Sequence, residues 1–161
     1  MKNRTSKLFT VLIILSSLVS TQTNASKSDS DRKNGIITIK SMHYVSVNID
    51  KLEAVLNKKG MTIFKRVDHT AGAQKAGLQL RPTELLIFGN PKVGTPLMLC
   101  SQTAALDLPQ KALAYEDEKG QVWLAYNDPA YMAKRHHTRD CEEAVQKVSN
   151  ALAKFASVAT E

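Results

Sequence analysis

The sequence predicts an α+β fold, a mainly antiparallel sheet of about five strands packed by helices in the order β-α-β-β-α-β-β-α. Three observations carry that expectation. Lys111 to Glu116 and Gln121 to Tyr126 flank Asp117-Glu118-Lys119-Gly120, a tight turn whose glycine is free to take the left-handed conformation, so the two runs form a hairpin. Near the C-terminus Cys141, Val145, Val148, Leu152 and Phe155 recur at helical spacing as one stripe. No βα unit repeats along the chain, and helices laid on an antiparallel sheet are then the simplest packing.

The first element is a targeting segment. Lys2, Arg4 and Lys7 precede the apolar run Leu8 to Val19, and Thr23-Asn24-Ala25 supplies the small residues of a cleavage site. The run is 12 residues long, short of the roughly 20 that span a bilayer as a helix. Residues 1–25 are therefore read as a signal peptide, and no cysteine follows at a lipoprotein position. The expected address is the periplasm or the exterior of a bacterium. Cleavage removes three basic and no acidic residues, so the net charge falls from +7 to +4. The remaining lysines and arginines are scattered among acids and form no stripe with aromatics, which argues against nucleic-acid binding. Residues 26–34, SKSDSDRKN, have the composition of a disordered leader, and residues 35–158 suit a single domain.

Within that domain, Gly35 to Ser41 is β-branched and strand-like. Asn48 to Lys59 carries Ile49, Leu52, Val55 and Leu56 at helical spacing, with Asn48 or Asp50-x-x-Glu53 to cap its start and Gly60 to end it. Met61 to Asp68 alternates as a strand, Met61, Ile63, Lys65 and Val67 on one face and Thr62, Phe64, Arg66 and Asp68 on the other. Residues 69–82 hold a short helix or a loop. Thr83 to Phe88 reads as a central strand. It ends in the loop GNPKVG, after which Thr95-Pro96 offers a cap and a proline at the first position of a helix running to about Ala105. Asp128-Pro129 repeats that device for a short helix to Arg135. Asp140-x-x-Glu143 forms a capping box for the last helix.

Cys100 and Cys141 both remain after cleavage, in a compartment where disulfides persist. If paired, they close a loop of about 40 residues, worth about 4 kcal/mol in the chain-entropy model. Alternatively each is a small buried apolar residue. Neither lies in a nucleophile signature or a C-x-x-C pair.

The runs Leu80-Arg81-Pro82-Thr83-Glu84-Leu85-Leu86-Ile87-Phe88-Gly89-Asn90-Pro91, Gly94-Thr95-Pro96-Leu97-Met98, Ala105-Leu106-Asp107-Leu108-Pro109 and Trp123-Leu124-Ala125-Tyr126-Asn127-Asp128-Pro129 together strongly resemble the domain of unknown function 302 family. The resemblance extends from about Gly35 to the final helix. It implies a compact α+β fold able to form a homodimer, and it implies no reaction, because none is established for the family. His69, Arg81, Glu84, Asn90, Asp107, Glu116, Asn127, Asp128 and His136 fit the pattern. Cys100 departs from it, standing where a polar residue is expected, which weakens any family-wide role for a disulfide.

Candidate chemistry is sparse. GNPKVGT spaces its glycines like a phosphate loop, but Thr95 stands where lysine is needed and Pro96 removes a donor, so nucleotide hydrolysis is not expected. Lys92, Thr95 and backbone amides retain the means to hold a small anion. His69 and His136 adjoin charged residues, yet no metal-ligand spacing is present, and a metal site would have to gather them from distant segments with Asp68, Glu84 or Cys141. Arg81 and Glu84 lie at the mouth of the central strand, and Asn127 and Asp128 at the end of the hairpin. The bland account is a structural network pairing Arg81 with Glu84, Asp107 or Asp128. Met42, Met61, Met98 and Met132 read as core filler.

These residues support three functional readings. The leading one is a non-enzymatic exported domain binding a small molecule, an anion or a partner near GNPKVG and Asn127-Asp128, with candidate contacts from Arg81, Glu84, Asn90, Lys92, Thr95, Asn127, Asp128, His69 and His136. The second is an enzyme using His69 or His136 with Arg81, which requires the three to share one cleft. The third is a metal- or haem-handling accessory protein. No cofactor is named by any motif.

Overall fold

The computed structural model describes residues 34–138 and 140–161, so the signal peptide and almost all of the expected leader lie outside the described residues. Five strands, β1 (Ile36–Lys40), β2 (Thr62–Asp68), β3 (Thr83–Gly89), β4 (Gln110–Glu116) and β5 (Val122–Asn127), form one sheet in the order β1-β5-β4-β3-β2. Every neighbouring pair is antiparallel. Five helices accompany them: α1 (Val45–Lys58), α2 (His69–Lys75), α3 (Pro91–Cys100), α4 (Pro129–Arg135) and α5 (Glu142–Thr160). A 3-10 turn, Gln102–Leu106, follows α3.

The core lies between one face of the sheet and the pair α1 and α5. Ile49, Leu52 and Leu56 of α1 and Val148, Leu152 and Phe155 of α5 pack on Leu86, Phe88, Ala114 and Leu124. Strand registers put these sheet residues on a common face, since Leu86 pairs with Ala112 and Ala114 pairs with Leu124. The α+β class and five antiparallel strands are thus as the sequence predicts, and residues 69–75 resolve as a helix.

Four local expectations are corrected. The helix α1 begins at Val45, three residues before the anticipated cap, and Asn48 is a buried residue inside it. Apolar Val45 has to be brought over the sheet, and Tyr44 occupies the cap position without a side-chain bond. In β2 the pairing slips between Ile63 and Lys65. A bulge inserts one residue and reverses the facing of the residues beyond it, so Arg66 pairs with core-facing Leu86 and joins Ile63's face. Helix α3 starts at Pro91 with Asn90 as its cap, leaving Pro96 inside the helix, and it ends at Cys100. Finally, Cys141 is the cap position of α5 and makes no side-chain cap bond, so the expected Asp140 box does not form.

Candidate functional site

The strand directions divide the candidate residues between the two ends of the sheet. β2 runs antiparallel to β3, with Thr62 beside Gly89 and Asp68 beside Glu84. One end therefore gathers the end of β2, the start of β3, His69 and Arg81. The other gathers Asn90, Lys92, Thr95, Asn127, Asp128 and His136, because β3 and β5 both finish there and α3 and α4 follow them.

At the first end the polar network is built on Arg66. Its Nε donates to Glu84 Oε2 at 2.7 Å and its Nη1 pairs with Asp50. Partial burial pulls the Arg66 pKa down, but the hydrogen bonds and charges of Glu84 and Asp50 outweigh it and raise the pKa above arginine's ordinary value. The expected partnership of Arg81 with Glu84, Asp107 or Asp128 is accordingly corrected. Arg81 forms no ion pair among the described residues, and its carbonyl accepts from the Thr70 and Thr83 hydroxyls at 3.2 and 2.8 Å. The bulge at Phe64 explains the change, since it turns Arg66 toward Glu84's side of the sheet.

At the second end two residues are helix caps. Asn90 Oδ1 accepts from the Lys92 amide at 2.9 Å, and its Nδ2 donates to the Gly60 carbonyl at 3.2 Å, tying the end of β3 to the turn after α1. Asp128 accepts from the Ala130 amide at 2.9 Å. His136, 6% exposed, lies between Asp107 and Thr103: Nε2 is 2.6 Å from Asp107 Oδ2 and Nδ1 is 3.1 Å from Thr103 Oγ1. A carboxylate opposite Nε2 requires that nitrogen to carry the hydrogen. Arg135 Nη1 reaches both Asp107 oxygens at 3.3 Å, and Lys111 donates to the Asp107 carbonyl. These bonds fix the segment from Thr103 to Pro109.

That segment forms one wall of a cleft of ≈ 540 Å³, to which it contributes Ala105, Leu108 and Pro109. Leu97 and Met98 come from α3, and Val148, Ala151, Leu152 and Phe155 from α5. Met61, Phe64 and Gly89 close the side toward β2. Leu97, Val148, Leu152 and Phe155 are almost fully buried, whereas Phe64 and Val93 are exposed, so the former make the floor and the latter the rim. A side chain on Gly89 would meet the Phe64 ring at 3.3 Å, and its absence lets that ring lie over the strand. The polar contributors are Lys59, Asn90, Thr95 and Gln110.

Two of the predicted ligand contacts, Asn90 and Thr95, line this cleft; Lys92 is exposed beside it, and Asn127, Asp128 and His136 do not line it. Separation of His69 and Arg81 from His136 by the length of the strands removes the enzyme arrangement that needed all three in one cleft. It likewise leaves the proposed gathering of His69 and His136 around a metal unassembled. No group of three or more metal-ligating side chains occurs among the described residues. Cys141 is joined to Cys100 by a disulfide, with 6.4 Å between the Cα atoms. Of the methionines read as core filler, Met132 is buried, Met61 and Met98 line the cleft, and Met42 is 79% exposed, which corrects that reading for Met42.

The family profile described as "Domain of unknown function DUF302" matches residues 37–155. The chain belongs to the DUF302 family. The fold of this DUF302 domain is similar to that in the crystal structure of an uncharacterized conserved DUF302 protein from Bacillus stearothermophilus, with a TM-score of 0.70 and 18% identity, covering 78% of this chain and 98% of that one. Two curated relatives are each named "Fluoride-specific ion channel FluC 1", from Brucella suis biovar 1 (strain 1330) and Brucella abortus biovar 1 (strain 9-941). Both are 53% identical over 103 residues, 64% of this chain but only 41% and 38% of their own lengths. The DUF302 chain therefore spans about two fifths of the curated relatives it matches.

Proposed function

We propose that this chain is an exported, non-catalytic binding domain whose ligand is a small, largely apolar molecule held in the cleft between α3 and α5. The observation that carries the reading is the cleft itself. Its ≈ 540 Å³ falls within the roughly 300–1,000 Å³ of small-molecule sites, and its mostly apolar lining with a few polar groups has their character. A titration with an apolar fluorescent dye tests it. Saturable binding of one dye per folded chain, abolished by Met98→Trp, is expected; a folded chain with no saturable binding would overturn the proposal. Export rests on the N-terminal sequence and is checked by fractionating cells that express the full chain.

A second copy is the proposed protein partner. The sheet face opposite α1 and α5 carries Leu85, Ile87, Leu113 and Trp123, each half-buried within the chain, and a like face would cover it. Light scattering at micromolar concentration is expected to give twice the chain mass, and Leu113→Lys the monomer. A second functional reading is favoured by the Brucella relatives, in which the matched segment lies within polypeptides more than twice its length that carry the name of a fluoride channel. In that reading the domain acts beside a membrane channel for fluoride. Deleting it would then reduce growth in fluoride, and unchanged tolerance would sink the idea.

A further inference from the structure

We propose that the cleft takes a single-chain amphiphile with an anionic head, a long-chain carboxylate, its tail along α5 and its carboxylate at Lys59. This inference rests on the preceding reading of the cleft as a ligand site and adds the class of ligand.

The shape of the apolar surface favours a chain over a compact ring. Val148, Ala151, Leu152 and Phe155 follow one another along α5, a track about 10 Å long at 1.5 Å per residue. Met98 faces it from α3 and Met61 from the foot of β2. Both are unbranched and adaptable, suited to a flexible partner. Each methylene buried on such a track is worth about 0.8 kcal/mol, so affinity should climb with tail length until the track is filled.

Charge selects the head. Lys59 is the single cation among the lining residues, and the lining includes no acid. Lys59 has no ion pair among the described residues, whose pairs use Arg66, Arg135, His136 and Lys147. It follows α1 directly, and the bond from Asn90 to the Gly60 carbonyl holds this turn against the start of α3. Thr95, one turn into α3, also lines the cleft and brings a hydroxyl donor. Asn90 is committed to capping. A carboxylate at the mouth would thus meet an ammonium and a hydroxyl while its tail stays on the track.

The test is displacement of the apolar dye from the delipidated full chain by palmitate, hexadecanol and palmitoyl-lysophosphocholine. Palmitate is expected to bind at least tenfold more tightly than the other two. Lys59→Met should remove that preference and leave hexadecanol unchanged, and Ala151→Trp should abolish binding of all three, with thermal melts verifying that both variants fold. Should Ala151→Trp fail to fold, Met98→Trp blocks the facing wall and serves in its place. If hexadecanol or the zwitterionic lipid competes as well as palmitate, or if Lys59→Met changes nothing, the anionic head is wrong while the cleft survives as a site. If no amphiphile and no dye binds the folded chain, both readings fall together.

Discussion

Asn48 is wholly buried in α1, and neither its side-chain Nδ2 nor its Oδ1 has a hydrogen-bond partner among the described residues. Leaving a buried polar group unpaired costs about 1–3 kcal/mol, whereas leucine branches at the same carbon, has as many side-chain heavy atoms and carries no polar atoms to satisfy. Asn48→Leu is therefore expected to raise the melting temperature by a few degrees, and a fall of similar size would mean that the amide has a partner of its own. The His136 cluster gives the opposite expectation. Asp107→Ala removes the acceptor 2.6 Å from a buried imidazole, and urea unfolding should show a loss of about 1–3 kcal/mol. Loss of Asp107 also frees the segment bearing Ala105 and Leu108, so dye affinity in the cleft should fall with it.

The helices differ in how openly their ends are written. Asp128-Pro129 carries a cap and a first-turn proline, and α4 begins there. Asn90-Pro91 and Thr95-Pro96 offer that device twice within seven residues, and a reading that starts the helix at Pro96 passes over the stronger cap, since asparagine outranks threonine. Asn90→Ala should cost about 1 kcal/mol by urea unfolding. Restoring a capping acceptor with Asn90→Asp should recover only the capping part of that loss, because the bond to Lys92 needs the oxygen whereas the bond to the Gly60 carbonyl needs the amide hydrogen. The bulge in β2 was not legible at all: alternation holds on either side of Phe64, and only pairing with β3 reveals the extra residue. That single slip moved the ion pair with Glu84 from Arg81 to Arg66. The cleft was hidden for another reason. Its floor uses the apolar stripe on α5 that any core helix carries, and only the breadth of the apolar arc, which adds Ala151 beside Val148 and Leu152, hints that the helix serves two surfaces.

At the scale of the molecule, one covalent link joins the two walls of the cleft. Cys100 ends α3 and Cys141 is the cap position of α5, so the disulfide pins the helices where the chain between them has wandered through β4, β5 and α4. Closing a loop of this size is worth about 4 kcal/mol if the effect lies in the unfolded chain, and the double variant C100A/C141A should lose a stability of that order in urea. A tether acting on the unfolded chain alone would leave the native cleft unchanged. The walls give a second readout, because α3 is short, has Pro96 in its interior and buries only Leu97 of its residues. Under conditions where the double variant remains fully folded, its dye affinity should still fall, and reduction of the native chain should reproduce the loss. Equal affinity in the two folded proteins would assign the bridge to stability alone and leave the position of α3 to packing.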